Sequence, residues 1–193
     1  MDYIELIDRL KAAGARFTHG LSPNEFDQIE HRYGFQFPPD YKEFLSIAMP
    51  ISDKFINWRD NSEHNIAQIH SRMNWCLEGL LLDVEQNKFW YYEWGSKPSN
   101  VEEAKAKCEA EYHKAPKLIP IYAHRYIPET PAEAGNPILS VYQTDIIYYG
   151  ENLYAYLMVE FGLKSYDEID YDSIKPIRFW SDIMDMWEAD YQI

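Results

Sequence analysis

The stretch that decides the fold is Gly20 to Ala48, GLSPNEFDQIEHRYGFQFPPDYKEFLSIA. Ser22 suits a helix N-cap, Pro23 the first helical position, and Glu25 the third, where its carboxylate closes a capping box. Phe26, Ile29 and Tyr33 then recur at spacings of three and four, and Gly34 ends the helix. Phe35-Gln36-Phe37 and Pro38-Pro39 break the chain. A second helix follows at once, with Tyr41, Phe44, Leu45 and Ala48 on its apolar stripe. The prediction is two short helices in a V closed by a proline corner, a scaffold with no catalytic set.

Upstream, Asp2 to Ala13 reads as an amphipathic helix with Tyr3, Leu6, Ile7 and Leu10 on its buried face. Its acidic start does not read as a signal peptide. Downstream, Ile51 to Asn61 reads as irregular with one short strand. Ser62 to Glu78 reads as a helix carrying Ile66, Ile69, Met73 and Leu77. Leu80 to Val84 and Lys88 to Trp94 read as a hairpin around Glu85-Gln86-Asn87, with Trp90, Tyr92 and Trp94 alternating against Phe89, Tyr91 and Glu93. Val101 to Lys114 is a charged helix. LIPIYA, HRYIP, PILSVY and DIIYYG, from Leu118 to Gly150, are strands rich in β-branched and aromatic residues. A helix with Leu153, Tyr156, Leu157, Glu160 and Phe161 follows. An acidic tail from Ser165 to Ile193 ends in a helix bearing Phe179, Ile183, Met186 and Trp187. The expected class is α+β, a central, mostly antiparallel twisted sheet with helices packed against it, over a single domain of residues 1–193.

Eighteen basic and thirty-two acidic residues give a net charge of −14 in 193 residues. Such a surface disfavours nucleic acid and anionic membranes; it favours basic partners, or simply keeps the protein soluble. No stretch approaches the ~20 apolar residues of a membrane span, so a soluble, cytoplasmic protein is expected. Cys76 and Cys108 match no metal spacing and read as buried thiols. The six histidines form no HExxH or paired zinc spacing. No GxSxG occurs, and the eight glycines are scattered, each at a position that reads as a helix end or turn. The expectation is no catalytic residues, no metal and no cofactor. Asp145 reads as a turn residue. Arg125 reads as half of an internal ion pair or a guanidinium stacked on tyrosine, with Asp145 as one conceivable partner across adjacent strands.

FQFPPDYKEFL, followed by EGLLLDVEQNKFWYYEWGSKP, APKLIPIYAHRYIP and GNPILSVYQTDIIYYGENLYAYLMVEF, resembles the SUKH superfamily, which includes yeast cell-wall assembly regulators. The resemblance runs from about Leu21 to Phe161 and leaves residues 165–193 as an acidic extension. It implies an α+β binding protein without shared catalytic residues, with Trp90, Trp94, Gly95, Pro120, Pro137 and Gly150 as fold determinants. Bacterial members are mostly immunity proteins that neutralise toxin domains, often nucleases. A cognate toxin is therefore the expected partner. The candidate contact residues are Asp167, Glu168, Asp170 and Asp172 in the tail, where charge is densest and which also read as a solvated loop before the last helix, and Asp83, Glu85 and Glu93 near the aromatic hairpin. A regulatory scaffold binding cellular proteins is the alternative, and an enzyme with an aromatic cleft for a small substrate the more distant one.

Overall fold

The computed structural model describes residues 2–52 and 54–190, the side chains of 187–190 excepted. Helix α1 (Tyr3–Ala12) starts on Asp2, whose carboxylate accepts the Ile4 and Glu5 N–H groups, and buries Tyr3, Leu6, Ile7 and Leu10. Strand β1 (Phe17–His19) leads to the V. Helix α2 (Pro23–Tyr33) opens with the expected capping box, the Glu25 carboxylate taking the Ser22 N–H at 2.8 Å, and ends at Gly34 in the left-handed region. Helix α3 (Pro39–Ile47) follows the proline corner. Ala48, expected at its end, instead begins strand β2 (Ala48–Pro50), which pairs antiparallel with β1. Phe37 fills the crotch of the V edge-on to Phe26, Phe35, Tyr41 and Trp58, with ring centroids 4.9–5.6 Å away.

The four strands of the main sheet lie where the sequence places them: β3 (Leu118–Tyr122), β4 (Arg125–Pro128), β5 (Ile138–Tyr142) and β6 (Asp145–Gly150), antiparallel in that order. Side chains alternate between the two faces. Ile119, Ile121, Ile127 and Ile138 join a core built with α1, α2 and α3, and with Tyr156 and Leu157 of α6 (Leu153–Glu160). Leu118, Tyr126, Leu139, Val141 and Ile146 enter a second core on the opposite face. The expected short strand in 51–61 is reduced to one bridge, Phe55 to Tyr122, at the β3 edge.

The second core corrects the sequence reading. Leu80 to Val84 is no strand: helix α4 runs unbroken over Glu63–Gln86. Gly79, read as a helix end or turn, lies inside it because the backbone of the β5–β6 turn presses there. A Cβ on Gly79 would stand 2.7 Å from Gln143 Cα. Lys88 to Trp94 forms no hairpin arm but an irregular aromatic loop ending in a 3-10 turn, Tyr92–Trp94. Helix α5 (Val101–Tyr112) contributes Ala104 and Cys108 to the core. The tail adds two 3-10 turns, Tyr166–Glu168 and Tyr171–Ser173, and helix α7 (Trp180–Asp190). Ile177, Phe179, Trp180 and Ile183 are buried in the second core, so this extension is built into the fold. The Trp187 side chain and residues 191–193 lie outside the described residues. No described helix is long and apolar enough to cross a membrane.

Candidate functional site

The tail acids occupy a tethered strip beyond the β6 edge. The Ser165 N–H donates to Glu168 at 2.7 Å, closing a capping box on the first 3-10 turn. The Tyr166 hydroxyl donates to the Tyr148 carbonyl of β6 at 3.0 Å, and Ile169 plugs into the protein between the two turns. With the backbone held at these points, Asp167, Glu168, Asp170 and Asp172 all remain exposed. Four carboxylates in six positions thus sit on an ordered support, which lowers the entropy cost of presenting them to a partner.

The second candidate set comes apart. Asp83 is 1% exposed. Its carboxyl accepts the Thr144 N–H at 2.8 Å, the Thr144 hydroxyl at 2.6 Å and the Asn87 amide at 2.6 Å. It clamps the β5–β6 turn to α4, and the reading of Asp83 as a surface contact is corrected accordingly. Glu85, on the outer side of α4, meets Lys105 of α5 at 3.2 Å. Glu93 pairs with Arg178 at 2.7 Å. The expected hairpin would have grouped these three acids, and the helix separates them.

Glu93 borders a groove of about 560 Å³ that the sequence reading did not place. Tyr91, Trp94, Pro116 and Phe179 line it, and the Glu93–Arg178 and Glu111–Lys114 pairs, the latter at 2.9 Å, stand at its rim. The Tyr91 hydroxyl donates to Asp182 at 2.6 Å, and the same carboxylate oxygen accepts the Phe179 N–H at 2.8 Å. Burial, then the hydrogen bond to Asp182, holds the Tyr91 phenol well above its ordinary range. Phe179 is kept at φ +75°, a costly conformation for a bulky residue. The readable signal was the aromatic run from Phe89 to Trp94; its partner, Phe179, lies too far along the chain for local pattern to connect them. Among the described residues, no histidine, serine or cysteine lines the groove.

Arg125 is held by three groups. Its guanidinium lies 3.7 Å above the Tyr149 ring, donates to Ser140 Oγ at 2.8 Å and faces Glu160 at 3.5 Å. The expected stack and internal ion pair are both present, with Glu160 in the place suggested for Asp145, which begins β6 in an exposed position. Cys76 and Cys108 are buried free thiols whose ionisation burial opposes. Among the described residues no group of three or more His, Cys, Asp or Glu side chains is arranged to hold a metal ion.

Comparison with protein-family models, with curated proteins and with solved structures gives no match.

Proposed function

We propose that this chain is a cytoplasmic immunity protein of a bacterial polymorphic or contact-dependent toxin system, and that it binds and blocks a toxin domain. The observation that carries the reading is the tail strip: Asp167, Glu168, Asp170 and Asp172 stand exposed on two anchored turns of a molecule of net charge −14. A nuclease must hold a polyanion and so presents a basic surface. An acidic strip facing that surface speeds encounter and excludes the nucleic acid, and close charge pairs across such contacts couple by about 1.5–7 kcal/mol. The SUKH resemblance of the helical V and the strand segments supports the same reading. In the aromatic groove, by contrast, the rim charges are already paired within the molecule.

The test is to look for a toxin domain encoded beside this gene and co-express it with this chain, reading growth rescue and recovery of a purified complex. Replacing Asp167, Asp170 and Asp172 by Asn and Glu168 by Gln is expected to slow association about tenfold or more and to flatten its salt dependence. Association kinetics indistinguishable from those of the unaltered chain would remove the strip from the interface.

A further inference from the structure

One corner of the main sheet is bare on the face that carries Arg125. Helix α6 covers part of this face. It starts against the end of β6, brings Glu160 to Arg125 in β4, and passes on to Phe161, whose ring lies 6.1 Å from Tyr122 in β3. The turn ends of β5 and β6 are left uncovered. In the pairing register Arg125, Ser140 and Ile147 are neighbours across three strands, and Tyr142 shares their face two residues beyond Ser140. Tyr142 is 57% and Ile147 43% exposed. Trp75 of α4 stands beside Tyr142 at 6.1 Å, its ring fixed by a hydrogen bond to the Val141 carbonyl, with 40% of it open to solvent. Rigid, part-exposed aromatic rings are the side chains that anchor protein interfaces.

The flanks of this corner carry opposite charge. Beyond β6 lies the strip of tail carboxylates, tied to that strand by Tyr166. On the far side, at the β3–β4 turn, Lys54, Arg72 and His124 gather. Arg72 donates to the Ala123 carbonyl, Ala123 donates to the Lys54 carbonyl at 2.9 Å, and Lys54 Nζ stands 5.6 Å over the Tyr122 ring. Partial burial and then the neighbouring Arg125, Arg72 and Lys54 charges hold His124 below its ordinary range. Among the described residues, the contacts made by the Lys54 and Arg72 charges are a ring face and a carbonyl, with no carboxylate. Following the strand order across the sheet, the sequence is cation, apolar centre, anion.

We propose that this corner docks a second copy of the chain, in a two-fold dimer whose axis runs parallel to β5 and β6. Rotation about a line along the strands lays one face on the other and exchanges left with right. The cations of each copy then meet the acids of its mate, while Tyr142 and Ile147 meet their own counterparts near the axis. A partner of uniform charge leaves one flank unmatched, whereas another copy matches both. The net charge of −14 opposes association, so the dimer forms as a concentration-dependent equilibrium. A basic partner that takes the tail acids competes with it. The dimer itself does not depend on the immunity reading and is measured without a toxin.

The experiment is sedimentation velocity of the whole chain from about 5 to about 500 µM. The weight-average mass is expected to climb from 22.9 kDa toward twice that value. Ile147→Asp should hold it at the monomer. So should Lys54→Glu with His124→Glu, and separately Asp167→Lys with Asp170→Lys and Asp172→Lys. An equimolar mixture of the two charge-reversed chains should recover the dimer, because each again offers the other its complement. Circular dichroism checks that every variant is folded. A monomer mass for the unaltered chain at all concentrations overturns the proposal. So does a dimer that survives Ile147→Asp, or a mixture of reversed chains that stays monomeric.

Discussion

Glu25 and Asp83 show what a single residue does and does not announce. Glu25 three places after Ser22 is a local signature, and its capping contact forms as the spacing requires. Its second task is not local. Arg59 reaches Glu25 at 2.6 Å while also donating to the His19 and Gly20 carbonyls, joining the V to the irregular segment 51–61. That hydrogen bond, with the Ser22 N–H, holds the Glu25 carboxyl at about 2. Asp83 gives no local sign at all, because its donors come from Thr144, 61 residues away, as well as from Asn87. Asp83→Ala would strand the buried Thr144 N–H and hydroxyl, and a loss of about 2–3 kcal/mol is expected. Asp83→Asn keeps an acceptor in place and should cost about half as much. Urea denaturation of both variants checks the difference. Equal, negligible losses would mean that the clamp contributes nothing.

At the scale of elements, the four strands of the main sheet were legible and the last two turns of the longest helix were not, for a common reason. LIPIYA and DIIYYG are β-branched, aromatic and bounded by turn residues, so propensity and tertiary setting agree. Leu80 to Val84 is a short apolar run between a glycine and Glu-Gln-Asn, and such runs suit a strand as well as a buried helix. What decides it is the packing of α4 across both hairpin tips. Arg72 holds the Ala123 carbonyl, Trp75 the Val141 carbonyl, Gly79 admits Gln143 and Asp83 takes Thr144. The four positions advance by three or four, one stripe of a helix, and on a strand they would fall on both faces. Gly79→Ala sets a propensity gain of about 1 kcal/mol against a Cβ driven into backbone. The clash should win, with a net loss of about 1–3 kcal/mol. Faster amide exchange confined to the β5–β6 turn would locate the damage. A variant more stable than the parent would show that the turn yields easily.

For the molecule as a whole, the sequence foretold one central sheet and missed that the tail completes the core behind it. The tail helix was visible as Phe179, Ile183 and Met186 at helical spacing, although Phe179 lies one residue before its first turn. Its destination was not, since the partners of Trp180 include the Pro116 carbonyl, bonded at 2.7 Å, and Tyr112 at 6.0 Å. Trp180→Ala is therefore expected to cost about 3–5 kcal/mol and lower the melting temperature of the whole protein in one transition, as calorimetry would show. Two separate transitions would instead mean that the cores fold independently. For the same reason the acidic strip is best probed by changing its charges and leaving the tail in place. Of the candidate contacts, the tail acids were readable because charge density is a property of the sequence. The groove and the bare sheet corner were not, because each is assembled from segments that meet only in the folded chain.

The shared sheet has a last consequence. Neighbouring positions on each strand feed different cores, Tyr126 one and Ile127 the other, Ile138 one and Leu139 the other. A strand misaligned by a single residue would send a tyrosine into space shaped for isoleucine on one side and leave a void on the other. Alignment is thus proofread from above and below at once, and a chain that zips up wrongly finds no compartment ready to accept it.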